Sequence, residues 1–175
     1  MSSKKKIQKH KRNQPPQEGP KPFWRTKKLD QMTPEEWESL CDGCAKCCLV
    51  KVQYIDSDVV YYTDLACNLL DIQTCRCSDY EHRSELEPSC AVLTPQTAHD
   101  FEWLPKTCAY RLVAEGKDLK RWHHLVCGDL ERVHTAGISI RNKVIHERDT
   151  DPEDLEDHIG KYDEKVRVSP PPKLR

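Results

Sequence analysis

Ten of the 175 residues are cysteine, and four of them fall within eight positions, Cys41-x2-Cys44-x2-Cys47-Cys48. Thiols at this density constrain the fold more than any hydrophobic pattern, because the chain is poor in the residues that ordinarily build a core. Apolar residues make up 37% of it, against roughly 45–50% in globular domains. A chain of about one domain's length with so thin a core needs another source of stability, and cross-linking through cysteine is the available one.

What the thiols do depends on the compartment. The sequence begins Met-Ser-Ser-Lys-Lys-Lys-Ile-Gln-Lys-His-Lys-Arg, basic with no apolar run behind it, which is not the pattern of a secretory signal. We therefore expect a cytoplasmic protein whose thiols stay reduced. In that setting clustered cysteines serve as metal ligands more often than as disulfides. The plain alternative is a set of reduced cysteines packed as small hydrophobes, but free thiols rarely cluster this densely. A membrane span needs roughly 18–20 apolar residues in a row, and no stretch approaches that.

The net charge of −1 argues against a DNA-binding protein, yet it hides an asymmetry. Residues 1–28 hold ten Lys or Arg and one acid, giving +9 and leaving −10 for the rest. Pro15, Pro16, Pro20 and Pro22 break this basic segment, so residues 1–22 are expected to be a disordered tail. Such a tail offers weak contact with RNA or a ribosome, or simply solubility. Residues 161–175 are expected to be a flexible C-terminal tail, leaving 23–160 as a single metal-binding domain. Any protein partner stays open.

Within that domain the local signals are short. Thr33-Pro34-Glu35-Glu36 is a capping box with Pro at the first helical position. Residues 49–54 and 59–63, rich in β-branched and aromatic side chains, predict a hairpin across Asp56-Ser57-Asp58. Further helices are expected from Thr94-Pro95, over 107–115, over 129–136 and from Asp151-Pro152, with a weak strand over 138–146. The fold class is therefore α+β: small, irregular, with short helices and a hairpin around a cysteine-rich metal cluster.

If the Cys41–Cys48 stretch is helical, steps of 100° place its four thiols within an arc of roughly 120°. If it is a loop, its spacing resembles the opening of a ferredoxin ligand run. Cys47 and Cys48, being adjacent, are expected to diverge, so that they serve different sites or one of them simply packs. Cys67, Cys75, Cys77, Cys90, Cys108 and Cys127 follow downstream. Cys75 and Cys77 share one face if extended. Eight to ten thiolates fill two four-coordinate sites, or one iron–sulfur cluster and a second metal, and the spacing does not decide between iron–sulfur and Zn2+. A structural thiolate zinc site supplies about 10–16 kcal/mol, enough to offset a thin core. His99, His123, His124 and His134 are secondary candidates for a Cys3His site.

Trp37-Glu38-Ser39-Leu40-Cys41-Asp42-Gly43-Cys44-Ala45-Lys46-Cys47-Cys48 resembles the signature of the CxxCxxCC cysteine-cluster family, which is described as zinc- or iron-chelating. Ala66-Cys67-Asn68-Leu69-Leu70-Asp71, Cys75-Arg76-Cys77-Ser78-Asp79-Tyr80, Thr107-Cys108-Ala109-Tyr110-Arg111-Leu112 and residues 134–141 narrow the likeness to its YcgN-type bacterial branch. In that branch Ser usually stands where this chain has Cys127, which implies that Cys127 is not an essential ligand. The metal set is then Cys41, Cys44, Cys47, Cys48, Cys67, Cys75, Cys77, Cys90 and Cys108. The expected function is to hold a metal centre in a structural or regulatory role.

The alternatives are a metallochaperone or metal sensor, and a small methyltransferase-like enzyme, the latter by the wider family's resemblance to flagellin lysine-N-methylase. No G-x-G-x-x-G is present for a Rossmann site. The first cysteine gap is also one residue short of the Cys-x3-Cys-x2-Cys run of radical S-adenosylmethionine enzymes. Catalysis is left open.

Overall fold

The computed structural model describes residues 21–160 and 165–168. The expected basic tail, and with it the RNA or ribosome contact, therefore lies almost wholly outside the described residues. Among the described residues, no helix is long and apolar enough to cross a membrane.

Two unlike halves meet in the fold. The first is a small sheet built on a hairpin of β1 (Leu49–Gln53) and β2 (Val59–Ala66), paired antiparallel as their β-branched and aromatic residues predict. The register shifts between Leu49 and Lys51. At the shift the buried Thr63 hydroxyl donates to the Val50 carbonyl at 2.9 Å and accepts from the Leu65 N–H at 3.1 Å. These bonds occupy polar groups that the irregular ladder leaves over.

A short pair, β3 (Leu70–Asp71) with β4 (Arg76–Cys77), follows the hairpin. The far edge of β2 is shared. β5 (Ile145–His146) runs parallel to its C-terminal end, and β6 (Lys165–Arg167) runs antiparallel to its start. β6 corrects part of the expected C-terminal tail. Val166 is 1% exposed and completes the sheet core, a non-local contact that no local pattern announces. The strand expected over 138–146 is likewise reduced to Ile145–His146.

The second half is helical and its elements are short. α1 (Phe23–Thr26) is tied to Asp118, whose carboxylate accepts from Trp24 Nε1 at 3.0 Å and from the Arg25 guanidinium. Arg25 first, then Trp24, hold that carboxyl down at about 2. α2 (Pro34–Ser39) begins at the capping box: the Thr33 hydroxyl accepts from the Glu36 N–H, and the Glu36 carboxylate accepts from the Thr33 N–H at 2.9 Å.

α3 (Arg83–Leu86), α4 (Ala109–Ala114), α5 (His124–Cys127) and α6 (Arg132–Thr135) are one or two turns each. The helices expected at Thr94-Pro95 and Asp151-Pro152 form as 3-10 turns over Pro95–Trp103 and Pro152–His158. Turns of this length have little stability of their own and are held by what they pack against.

Each half has its own apolar cluster. Leu49, Val60, Tyr62, Ala66, Leu70, Ile140 and Val166 pack on the sheet side, with Ala45 and Cys75. Trp37, Leu40, Phe101, Leu104, Ala109, Tyr110 and Leu119 form the helical cluster. The segment 40–49 crosses from one to the other, since Leu40 belongs to the second while Ala45 and Leu49 belong to the first.

Leu104 is 0% exposed whereas Ile55, at the hairpin turn, is fully exposed. Leu104→Ala is therefore expected to cost about 2–5 kcal/mol and Ile55→Ala less than about 0.5 kcal/mol. Urea denaturation of both variants at matched metal loading checks this difference.

Candidate metal centre

The Cys41–Cys48 stretch is a loop closing into a 3-10 turn over Lys46–Cys48, not a regular helix. Its path depends on two residues with left-handed backbone, Gly43 at φ +75° and Ala45 at φ +58°. A side chain on Gly43 would also press on the Arg76 guanidinium, 3.4 Å from the position of its Cβ. The turn is pinned by the Cys44 N–H donating to Asp42 Oδ1 at 3.0 Å, and by the Ile140 N–H donating to the Cys44 carbonyl at 3.1 Å.

This loop forms one wall of a cavity of about 140 Å³ at the seam between the two apolar clusters. Seven cysteines line it: Cys41, Cys44, Cys47, Cys48, Cys75, Cys77 and Cys108. Leu40, Ala109 and Tyr110 close it from the helical side, Ala45 and Leu70 from the sheet side. Cys75 has left-handed backbone at φ +57°, so it does not lie with Cys77 in one extended run. Its Sγ is directed at the Ile72 carbonyl at 3.8 Å and lies beside Arg141 and Ser139.

The thiols that act on one another across the cavity are Cys41, Cys44, Cys47 and Cys108. Burial is the first cause that raises Cys41, to about 12, and it raises Cys44 and Cys108 as well; the charge of Cys47 acts on all three. Cys47 moves the other way, down to about 7, because it accepts a hydrogen bond from the Cys48 thiol and faces the Lys51 ammonium. Donating that hydrogen bond raises Cys48 strongly.

The two adjacent sulfurs are 4.0 Å apart, which corrects the expectation that they diverge. The tight 3-10 turn brings them together. A tetrahedral thiolate site with bonds of about 2.3 Å sets its sulfurs about 3.8 Å apart, close to this separation, so adjacency alone does not force the two onto different centres.

Cys47 and Cys48 also line a second, open cleft of about 510 Å³, together with Cys67, Cys90, Lys51, Trp103, Glu87 and Glu147. The Lys51 Nζ donates to the Cys47 and Leu49 carbonyls, each at 2.7 Å, and sits 5.0 Å from the Trp103 ring centre. One ligand atom each from Cys67, Glu87 and Glu147 lies within 4.8 Å of the others. The nine expected ligands therefore divide, with seven in the cavity, Cys67 and Cys90 in the cleft, and Cys47 and Cys48 on the wall between them.

The same stretch of chain matches a family model. Residues 40–109 match the CxxCxxCC model, described as a "putative zinc- or iron-chelating domain". A UPF0260 protein of Parvibaculum lavamentivorans is 57% identical over 138 residues, covering 79% of this chain and 90% of that relative. UPF0260 proteins of Pseudomonas putida and Pseudomonas aeruginosa are each 54% identical over 138 residues, covering 79% of this chain and 92% and 93% of those relatives. The chain belongs to the UPF0260 family. No solved structure matches it.

In this UPF0260 chain the matched segment holds all nine expected ligands and leaves out Cys127. Cys127 is exposed, with its Sγ directed at the Trp122 and Asp129 carbonyls at 3.5 and 3.6 Å, and it lines neither the cavity nor the cleft. The described histidines stand outside the cavity lining too. His123 uses both ring nitrogens, Nε2–H donating to the Leu40 carbonyl at 3.0 Å and Nδ1 accepting from the Leu125 N–H at 3.1 Å. His134 bonds the Ser139 hydroxyl at 2.8 Å, and His124 stacks on His123 at 4.5 Å. The side chain of His99 lies outside the described residues.

Sequence reasoning missed the non-cysteine members: Lys51, Arg76, Glu87 and Glu147. Arg76 between Cys75 and Cys77, Lys51 three residues after Cys48 and Glu87 three residues before Cys90 each had a local signal, whereas Glu147 stands far from any expected ligand in the sequence.

Two outcomes follow for the UPF0260 chain. Cys127→Ser is expected to leave metal content unchanged by elemental analysis, whereas Cys44→Ser lowers it. The second concerns pH in the metal-free protein. Cys47 ionises at about 7, below the ordinary thiol value of 9.0, so the unfolded chain holds more protons between those values and stability rises with pH there. The sign reverses as 9.0 is approached, because folded Cys41, Cys44, Cys48 and Cys108 keep protons that the unfolded chain is losing. Thermal melts of metal-free protein are therefore expected to be highest at about pH 8 and to fall on the alkaline side. Metal affinity rises with pH instead, since binding displaces those protons.

Proposed function

We propose that the chain holds an iron–sulfur cluster in the seam cavity through Cys41, Cys44, Cys47 and Cys108. The observation that carries this is a 140 Å³ space lined by seven cysteines, in which the charge of Cys47 reaches Cys41, Cys44 and Cys108. One zinc ion would draw four sulfurs to about 3.8 Å of one another and fill little of that volume. A polynuclear cluster brings inorganic sulfide that fills space between thiolates. The donor set fits: soft ligands on a ferredoxin-like run, apolar walls from both clusters, and Arg76 and Lys51 as flanking cations.

When bound, such a cluster supplies one-electron redox chemistry and four covalent links. The residues around it have separate tasks. Gly43 and Ala45 turn the loop so that its thiols converge. Cys108, at the start of α4, contributes a thiol from the helical half. Leu40, Tyr110 and Leu70 keep water from the site. Because the cavity lies at the seam, metal binding links the two apolar clusters, which supports a structural or regulatory role. A reducing, cytoplasmic setting belongs to the same proposal.

Purification without oxygen is expected to give a brown protein with iron and acid-labile sulfide, both lost in Cys44→Ser and Cys108→Ser. Removing the metal is expected to lower the melting temperature by at least about 10 °C. Zinc without sulfide overturns the cluster assignment. Folded protein with neither metal overturns metal binding altogether.

A further inference from the structure

The cleft beside the cavity holds a second set of donors whose chemistry differs from the first. Cys67 follows β2 directly and Glu147 follows β5 directly. Because Ala66 is paired with His146 in the parallel ladder, the sheet sets these two residues side by side. Glu87 comes from the other side of the cleft, just after α3. One ligand atom from each of the three lies within 4.8 Å of the others.

Both carboxylates are held by hydrogen bonds from groups that are not themselves ligands. Glu87 Oε1 accepts from the Ser89 N–H at 3.1 Å and from the Ser89 hydroxyl at 2.6 Å. Glu147 Oε1 accepts from the Asn68 N–H at 3.3 Å, and the Asn68 side-chain oxygen in turn accepts from the Arg148 N–H at 3.1 Å. Outer-shell bonds of this kind orient metal-binding carboxylates. Each ligand is half-buried, and all three line the cleft.

We propose that Cys67, Glu87 and Glu147 form a separate binding site for a divalent cation of zinc's class, with a fourth coordination position open to the cleft. One thiolate and two carboxylates suit zinc rather than an iron–sulfur cluster, which takes thiolates. Three protein ligands with an open fourth position is the arrangement of exchangeable and catalytic zinc sites, whereas structural sites are closed by four. Ligand atoms about 2.0–2.3 Å from a zinc ion lie about 3.5 Å apart, so rotations of roughly an ångström close the observed triangle around the ion. Three negative ligands facing one another repel; a divalent cation leaves one net negative charge, which Lys51 in the same cleft offsets. Cys67 and Glu87 lie within the segment that matches the chelating-domain model and Glu147 lies outside it, so the three-ligand set is completed by a residue beyond that match.

The test uses the full chain, metal-depleted and then titrated anaerobically with Zn2+ alone, with bound zinc, iron and sulfide counted after desalting. The double variant Glu87→Gln/Glu147→Gln is expected to bind one zinc fewer per chain than wild type. Its iron, sulfide and melting temperature stay at wild-type values when it is purified under the conditions that load the cluster. Ser89→Ala, which removes only the hydroxyl that holds Glu87, is expected to weaken that zinc about 10-fold. Cys44→Ser/Cys108→Ser is expected to keep it while losing iron, so failure of the cluster assignment and failure of this site give different results.

Substituting Co2+ should give a single-thiolate charge-transfer band in wild type that Cys67→Ser abolishes. Unchanged zinc stoichiometry in the folded double variant overturns the proposal. Loss of the same zinc in Cys90→Ser overturns the open fourth position.

Discussion

The rest of the structure depends on the desolvation of thiols at the seam between two small apolar clusters. Neither cluster is large, and the helices that make up one of them are too short to stand alone. The seam is where they would ordinarily merge into one core through bulky aliphatic side chains. Cysteines stand there instead, beside Leu40 and Tyr110 on one side and Ala45 and Leu70 on the other. Burial raises Cys41, Cys44 and Cys108, so without a metal these thiols are neutral and pack as small hydrophobes. They also leave a cavity, and a cavity in a thin core is destabilising. The same burial that keeps the thiols protonated makes their exchange for metal bonds favourable, because a cation both fills the space and supplies the charge that water no longer screens.

Much of the local structure was legible in the sequence because its causes are local. Thr33 and Glu36 form the capping box that their spacing announces. The β-branched and aromatic stretches on either side of Asp56-Ser57-Asp58 become the β1–β2 hairpin. The cysteine clustering suggested two sites, or a cluster and a second metal, and in the structure seven of the nine expected ligands line one cavity while Cys67 and Cys90 line the neighbouring cleft. What the sequence hid was non-local. β6 exists because Val166 fills a gap beside β2 that only the folded sheet creates. Glu147 is placed beside Cys67 by a parallel pairing across some eighty positions, a distance over which no spacing rule operates.

The adjacency of Cys47 and Cys48 shows how backbone geometry decides chemistry. In a regular helix or strand neighbouring side chains diverge, and on that ground the pair is not expected to share one centre. In the 3-10 turn that follows the left-handed Ala45, their sulfurs approach to 4.0 Å. One thiol donates to the other, lowering Cys47 and raising Cys48. Hydrogen-bonded to Cys48 and facing Lys51, Cys47 is the most ionised of the group at neutral pH and the natural first ligand for an incoming cation. The other thiols of the cavity would then give up their protons in turn to the bound cation, whose net charge falls with each thiolate it gains.

This wall of two cysteines is shared by the seam cavity and the larger cleft, and that sharing gives the two compartments a physical means of influencing each other. A cation on Cys67, Glu87 and Glu147 would sit near Cys48, whose thiol already senses Cys67. It would favour the ionised form of Cys48 and so weaken the hydrogen bond that Cys48 donates to Cys47. Occupancy of the cleft site would then change the donor strength of a thiolate in the cavity without any backbone movement. Lys51 stands between them: its ammonium is fixed to the Cys47 and Leu49 carbonyls, and it feels Cys47, Cys48, Cys67 and Cys90 at once. Whatever enters the cleft therefore meets the same two cysteines that line the cavity at the seam.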